Sequence, residues 1–318
     1  MIDVAALGEL LIDFACLSTD PEGYPTMAAH PGGAPANFLA ALTKFGAKTA
    51  LLGKVGNDTF GKLLTGTLQK AGIETRGLAV TDDVFTTLAF VTFDEHGDRE
   101  FSFSRKPGAD TCLSFEELDL SLIDEARVFH FGTLSLTDAP ARTTTQKAVA
   151  YAKARGKLVT YDPNLRKPLW NDMETAKEQL LWGLRQADVV KISVEEVDFL
   201  FGLGVEEGAK HILDTFGVKL VFVTCGADGC FYKNAVAEGH VPSLSGIKVI
   251  DTTGAGDIFG GSAVWKLLQL DKAPETLNEE ELAGVVRFAC TSAGLSTTKS
   301  GGISSVPELG EVLAALHG

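Results

Sequence analysis

Residues 249–262 read Val-Ile-Asp-Thr-Thr-Gly-Ala-Gly-Asp-Ile-Phe-Gly-Gly-Ser, and the fold is read outward from this stretch. The apolar pair Val249-Ile250 predicts the end of a buried strand, and Asp251-Thr252-Thr253 turns out of it. Gly254-Ala255-Gly256 then lets the backbone bend tightly before a helical apolar run from Ile258. Such a strand-turn-helix leaves backbone N–H groups unpaired at the positive end of the helix macrodipole, a ready site for an anion. Asp257 stands directly beside those donors, where a carboxylate would repel a merely bound phosphate. It suits a general base instead, taking a proton from a hydroxyl while the amides of Gly254, Ala255, Gly256 and Asp257 hold the phosphoryl group under attack. The competing account is a plain tight turn with Asp257 as a helix cap, a position that Asp favours.

Two familiar phosphate motifs are excluded. A dinucleotide fingerprint needs Gly where the chain has Phe259, and a P-loop needs Gly-Lys-Ser/Thr after its glycines. At 318 residues, 45% of them apolar and 34 of them Gly, the chain suits a compact, loop-rich α/β globule. A net charge of −14 argues against nucleic acid or an anionic membrane as partner. The first apolar run is broken by Asp3, Glu9 and Asp13, so neither a signal peptide nor a spanning helix is expected, and the location read from this is cytoplasmic. Cysteines at 16, 112, 225, 230 and 290 have no metal-ligand spacing; free, mostly buried thiols are expected.

From the N-terminus, Ile2 to Leu7 reads as a strand, with Asp13 just beyond its C-terminal end, where open α/β sheets collect ligand-binding groups. Gly32-Gly33 opens a helix whose buried stripe is Phe38, Ala41, Leu42 and Phe45; Asn37 falls off that stripe and has both a donor and an acceptor to offer. A strand from Thr49 to Val55 leads to a helix with Leu63, Leu64, Leu68 and Ala71 as its buried face. The alternation then breaks, because Thr86–Phe93 and Arg99–Ser104 flank Glu95-His96-Gly97-Asp98 as a hairpin. It resumes with strands at Arg127–Phe131, Lys157–Tyr161, Val189–Ile192 and Leu220–Thr224, and helices at about 138–154 and from Glu279. The expected fold is one α/β domain over 1–318, a mostly parallel sheet with helices on both faces, plus a small β lid from about 12–26 and 84–106. Half of the hairpin would be apolar, through Phe90, Phe93, Phe101 and Phe103, and a bare two-stranded ribbon is marginal in water, so a homodimer through the lids is expected.

Asp-Thr-Thr-Gly-Ala-Gly-Asp-Ile-Phe at 251–259 resembles the C-terminal signature of the ribokinase-like (PfkB) family of carbohydrate kinases. Pro-Gly-Gly-Ala-Pro-Ala-Asn at 31–37 resembles its N-terminal glycine motif, in the form found in fructokinases. The resemblance extends over essentially the whole chain. It implies transfer of the ATP γ-phosphoryl to a primary hydroxyl of a small sugar, with Mg²⁺ and with K⁺ as a further ion. D-fructose at its 6-hydroxyl is the first acceptor, 2-keto-3-deoxygluconate the second, and ribose or a nucleoside the weaker choices; an inactive sugar- or nucleotide-binding regulator is the reading from another class.

The resemblance also assigns residues. Asp13, Gly32, Gly33, Asn37, Arg105 and Arg166 would meet the sugar, with Asp257 as base. Asn164, Lys191, Ser193, Thr224, Gly226, Gly229 and Gly256 would meet the nucleotide, Asp162 and Asn164 would order Mg²⁺-bound water, and Glu196 would organise the Mg²⁺ shell through water. A monovalent-cation site would be drawn, mainly through carbonyls, from Asp251, Thr253, Ser296, Lys299, Gly301 and Ser305. Ser193 departs from the family's usual Asn. Without the family, Arg105 is a solvated loop arginine, Asp162 to Arg166 a structural turn, Glu195 and Glu196 first-turn helix charges, and 225–229 a β-turn.

Overall fold

The structure is a computed structural model and describes residues 1–93 and 99–317. The tip of the expected hairpin, Glu95 to Asp98, and the side chains of Phe93 and Phe101 lie outside the described residues. The N-terminal half runs β1 (Val4–Leu7), β2 (Leu11–Thr19), β3 (Pro25–Gly32), α1 (Ala34–Lys44), β4 (Thr49–Gly56), α2 (Thr59–Ala71), β5 (Leu78–Thr81), β6 (Leu88–Phe93) and β7 (Arg99–Ser104). Then come α3 (Leu120–Glu125), β8 (Val128–Gly132), α4 (Ala141–Ala154), β9 (Leu158–Asp162), α5 (Met173–Gln186), β10 (Val189–Ser193), α6 (Val194–Phe201) and α7 (Val205–Phe216). The chain finishes with β11 (Leu220–Thr224), β12 (Cys230–Asn234), β13 (Glu238–Val241), α8 (Ala255–Leu270), α9 (Glu279–Ser296) and α10 (Leu309–His317).

Nine strands form the main sheet in the order β13-β12-β11-β10-β9-β8-β1-β4-β5. All pairs from β5 across to β11 are parallel, and β12 and β13 extend the sheet antiparallel. Strand alternation sends side chains to both faces. Ala5, Leu7, Phe129 and Phe131 join a core with α4 and α5, whereas Val4, Ala6 and Val128 join a core with α1, Ile258 of α8 and Val312 of α10. Strand β1 has β4 on one side and β8 on the other, so the chain reverses its course across the sheet there; the carboxyl ends of strands at such a reversal open a crevice.

The second sheet has four strands, in the order β3-β2-β6-β7. The expected two-stranded ribbon is therefore not bare: β6 pairs in parallel with β2, which pairs with β3, and the small sheet extends to Gly32. Asp13 lies within β2 rather than on a loop. Phe90 and Phe103 do not share a face. Phe90 is opposite Ser102 and stacks on Phe14, which meets Phe60 of α2, while Phe103 is opposite Ala89 on the other face.

Three other local expectations are corrected. Val249 and Ile250 end no strand; they are 56% and 60% exposed, in an irregular segment whose Ile250 and Asp251 N–H groups both donate to the Thr297 carbonyl at the end of α9. An apolar pair is too short to claim a place in a sheet, and β13 already forms that edge. Leu63 is 43% exposed, because the stripe of α2 is completed by Gly61, Leu64 and Leu68. Cys230 and Cys290 are buried, and the other three free cysteines are half-buried.

Candidate active site

A cleft of about 620 Å³ opens between the two sheets. Its walls are the inner face of the small sheet, the starts of α1 and α8, and the turn at 300–302. Helix α8 begins on Gly254, whose φ of 76° belongs to the left-handed region, so Asp257 stands in the first turn. No side chain caps this helix, which removes the capping account of Asp257. Instead its Oδ2 accepts a hydrogen bond from Asn37 Nδ2 at 2.9 Å. Burial pushes the Asp257 carboxyl up to about 6, helped by the Asp162 charge and opposed by Lys191, the Asn37 bond and Arg166.

The anion site is narrower than the sequence suggests. The Ala255 N–H donates to the Thr252 carbonyl at 3.2 Å, closing the turn. Gly256 and Asp257 are left with first-turn N–H groups that no preceding turn of helix satisfies. Lys191 Nζ approaches from β10, held by Asp162 Oδ2 at 2.8 Å. A Cβ on Gly256 would lie 3.1 Å from that ammonium, so glycine keeps the approach open.

Most of the residues assigned to the sugar line the same cleft. Asp13 and Gly32 are on neighbouring strands, and a Cβ on Gly32 would stand 2.1 Å from Asp13 Oδ2. The Asp13 carboxyl is pushed up to about 6 by burial, against the pull of Arg166 and with Asp257 and Asp251 adding to the rise. Asn37 lines the cleft, with its Oδ1 buried and without a partner. Arg166 is exposed on the cleft wall. Arg105 does not line the cleft: it is 5% exposed, and its guanidinium donates to Asp110 Oδ2, Thr137 Oγ1 and the Leu134 carbonyl. Asp110 is in turn bonded by Thr87 Oγ1. The loop-arginine alternative fails with it, since this side chain is a buried clasp at the end of β7.

A smaller pocket of about 220 Å³ adjoins the cleft, and Asn164, Arg166 and Lys191 line both. Ser193 caps α6 in a reciprocal pair with Glu196, accepting from the Glu196 N–H while Glu196 Oε2 accepts from the Ser193 N–H. Ser193 therefore serves the helix start. Glu196 Oε1 accepts from the Leu165 N–H at 2.7 Å, and burial raises its carboxyl. Asn164 has φ 45°, a strained left-handed position for a residue other than glycine. Asp162 Oδ1 is buried with no partner. Thr224 ends β11, Gly226 and Gly229 belong to the turn after it, and none of the three lines either pocket.

Around the proposed cation site, Asp251 accepts from Thr253 N–H and Oγ1 and, through its other oxygen, from the Gly301 N–H at 3.0 Å. Ser296 and Ser305 are buried and donate to the Ala293 and Gly302 carbonyls. Lys299 instead pairs with Glu311 at 3.5 Å. Among the described residues, no group of three or more His, Cys, Asp or Glu converges on a metal position, and no helix is long and apolar enough to cross a membrane.

Two residues of the site escape sequence reasoning. Gly302 presses on Asn37 so closely that a Cβ there would stand 2.1 Å from Oδ1. Glu9 is 2% exposed, lines the cleft, and accepts from the Ala34 N–H at 2.7 Å; burial pushes its carboxyl up to about 7. The one signal for Glu9 is a charge inside an apolar run, which reads equally as an interruption.

The model of the pfkB family carbohydrate kinases matches residues 1–309. A Fructokinase-2 from Solanum lycopersicum is 40% identical over 320 residues, covering 99% of this chain and 96% of the relative. Fructokinase-1 from Zea mays is 40% identical over 318 residues, covering 99% and 97%. Among solved structures, fructokinase with bound ATP from Xylella fastidiosa superposes with TM-score 0.91 at 31% identity, covering 99% of this chain and 98% of that one. The fructokinase from Vibrio cholerae O395 in its fructose, ADP and calcium ion bound form gives 0.88 at 31% identity, with 99% of each chain covered. With a glycine-rich helix start, a carboxylate beside it and a match along nearly the entire sequence, this chain belongs to the pfkB family of carbohydrate kinases.

Proposed function

We propose that the protein transfers the γ-phosphoryl group of ATP to the 6-hydroxyl of D-fructose, with Asp257 as the general base. The observation that carries this is Asp257 itself, raised toward neutrality and held by Asn37 at 2.9 Å beside the free first-turn amides of α8. The sugar hydroxyl gives its proton to Asp257 as its oxygen bonds to the γ-phosphorus. The bond from that phosphorus to the β–γ bridging oxygen breaks, ADP leaves, and the proton passes to solvent. The N–H groups of Gly256 and Asp257 meet the charge on the transferring group, and Lys191 supplies a cation at the junction of the two pockets.

Mg²⁺ fits the smaller pocket. The Asn164 amide and Glu196 line it with hard oxygen donors that would hold the ion's water ligands, and Asp162, whose Oδ1 is buried without a partner, holds Lys191 beside them. A divalent ion held there with ATP would neutralise phosphate charge. K⁺ belongs, on this reading, to the loop around Asp251 and Gly301. Asp13, Asn37 and Arg166 orient the sugar, and the small sheet acts as a lid that excludes water.

Fructose is preferred over 2-keto-3-deoxygluconate because the latter's carboxylate calls for guanidinium groups in the cleft. Arg105 is engaged with Asp110, leaving Arg166 as the sole arginine on the described cleft wall, beside the carboxylates of Glu9, Asp13, Asp251 and Asp257. The curated relatives at 40% identity carry the fructokinase name. The test is ADP formation with Mg²⁺ and K⁺ against fructose, 2-keto-3-deoxygluconate, ribose, glucose, tagatose and adenosine, with phosphorus NMR of the product. Fructose should dominate in kcat/KM and carry phosphate at C6; a larger value for another acceptor, or phosphate at C1, overturns the assignment.

A further inference from the structure

We propose that Glu9 is a positioning residue of the phosphoryl-transfer site, capping α1 from outside the helix and thereby holding Asn37 against Asp257. The inference rests on the reading of Asp257 as base, but its structural half stands apart from that chemistry.

Helix α1 cannot cap itself. Its N-cap position is Gly33 at φ 116°, where a Cβ would meet the Glu9 carbonyl oxygen at 2.4 Å. Any residue with a capping side chain is therefore excluded at 33, and no acidic residue stands in the first turn. Pro35 has no N–H, and the Asn37 N–H already bonds the Gly33 carbonyl, so Ala34 and Ala36 carry the free donors of this helix start. Glu9 comes from the crossing between β1 and β2, 25 residues away, and its Oε1 takes the Ala34 N–H at 2.7 Å. A negative charge there also meets the positive end of the α1 macrodipole.

One turn on, Asn37 is fixed on three sides: Nδ2 on Asp257, and close approaches of Gly254 and Gly302, where Cβ atoms would stand 3.2 Å from Nδ2 and 2.1 Å from Oδ1. The helix start thus has little freedom to drift without moving the Asn37–Asp257 bond. The carboxylate also interacts with the Glu9 backbone N–H, and the charged groups acting on it are Arg105, which is spent on Asp110, and Asp110 itself; of these contacts the bond to Ala34 is the one that reaches α1.

The test compares Glu9→Ala, Glu9→Gln, Asn37→Ala and the Glu9→Ala/Asn37→Ala double variant in the full chain. Hydrogen exchange of the segment 34–38, without substrates, should speed up in Glu9→Ala and stay near wild type in Glu9→Gln, whose amide oxygen still accepts from Ala34. With fructose and ATP, Glu9→Ala should lose about 10- to 100-fold in kcat/KM for the sugar with KM for ATP unchanged, the cost of misplacing a reacting group. In the Asn37→Ala background the same change should cost almost nothing, since Glu9 acts through Asn37. Equal losses in both backgrounds, or unaltered exchange at 34–38, overturn the proposal. Should Glu9→Ala not fold, Glu9→Asp, one methylene short of Ala34, is read in the same way. If Asp257→Asn retains turnover, the base assignment fails while the exchange result on Glu9 still decides its capping role.

Discussion

Asn37 Nδ2 donates to Asp257 Oδ2 at 2.9 Å across 220 residues of sequence, joining the first turns of α1 and α8. The bond orients the base, while Asn37 Oδ1 is buried beside Gly302 without a hydrogen-bond partner. Replacing Asp257 by Asn removes the proton acceptor with little change of shape. Turnover should fall about 10²- to 10⁴-fold while calorimetry shows fructose still bound. Unchanged kcat in that variant would sink the mechanism.

The same substitution should stabilise the fold. The Asp257 carboxyl lies at about 6 in the folded protein against an ordinary 3.8, so the folded state binds its proton more tightly than the unfolded chain does. Its favourable contribution is complete below about 3.8 and lost as pH rises through 6. Urea unfolding at pH 8 should show Asp257→Asn more stable than wild type by roughly 3 kcal/mol, with the gap closing toward pH 4. A variant less stable at pH 8 would show that the carboxylate is not under strain.

In the rate profile, kcat/KM for the sugar should rise with pH and level off above about 6, where Asp13 and Asp257 both ionise. The Asp257 charge helps raise the Asp13 carboxyl, so the limb belongs to the pair rather than to either residue. Asp13→Asn should leave a single simpler step. A profile flat from pH 5 to 8 would exclude both carboxylates from the rate-limiting protonation.

Much of this was legible in the sequence because it rests on local chemistry. Gly254 to Asp257 announces a tight turn and a helix start wherever it occurs, and the β-α alternation fixes the parallel sheet. What escaped was pairing across distance. Arg105 faces the cleft or the core according to whether Asp110 and Thr137 are near, and only the fold brings them there. Glu9 reads as a break in an apolar run because its partner, the Ala34 amide, is a backbone group with no letter in the sequence. Val249 and Ile250 misled for the opposite reason, since hydrophobicity alone does not say that an edge strand is already in place.

Two glycines should be intolerant for reasons of space. Gly302→Ala sets a Cβ 2.1 Å from Asn37 Oδ1, and Gly32→Ala sets one 2.1 Å from Asp13 Oδ2. Each displaces a sugar-side group, so KM for fructose should rise with KM for ATP little affected, by up to about 100-fold for a shift near 1 Å. Gly66→Ala on α2, with nothing within 4 Å of its added Cβ, serves as the control and should be neutral. Wild-type sugar kinetics in both cleft variants would show that these groups relax freely.

Arg105→Ala should act on stability and not on sugar affinity. Arg105 and Asp110 are each 3% exposed at the side chain and 2.6 Å apart, so the substitution leaves a buried carboxylate without its counter-charge. The expected loss is about 3–5 kcal/mol in denaturant unfolding, with KM for fructose unchanged at a temperature where the variant remains folded. A large rise in KM with normal stability would return Arg105 to the sugar.

The small sheet carries the remaining proposal, a homodimer through the lids. Its open end exposes Leu17 at 65% and Tyr24 at 70%, and strands β3 and β7 are free edges among the described residues. Exposed edges and apolar side chains on one small sheet favour pairing with a second copy. Light scattering at micromolar concentration should therefore give about twice 33.7 kDa. Leu17→Glu places a charge on that surface without touching Asp257 or α8, and it should shift the mass to the monomer. A wild-type monomer at that concentration would leave each lid to close on its own subunit.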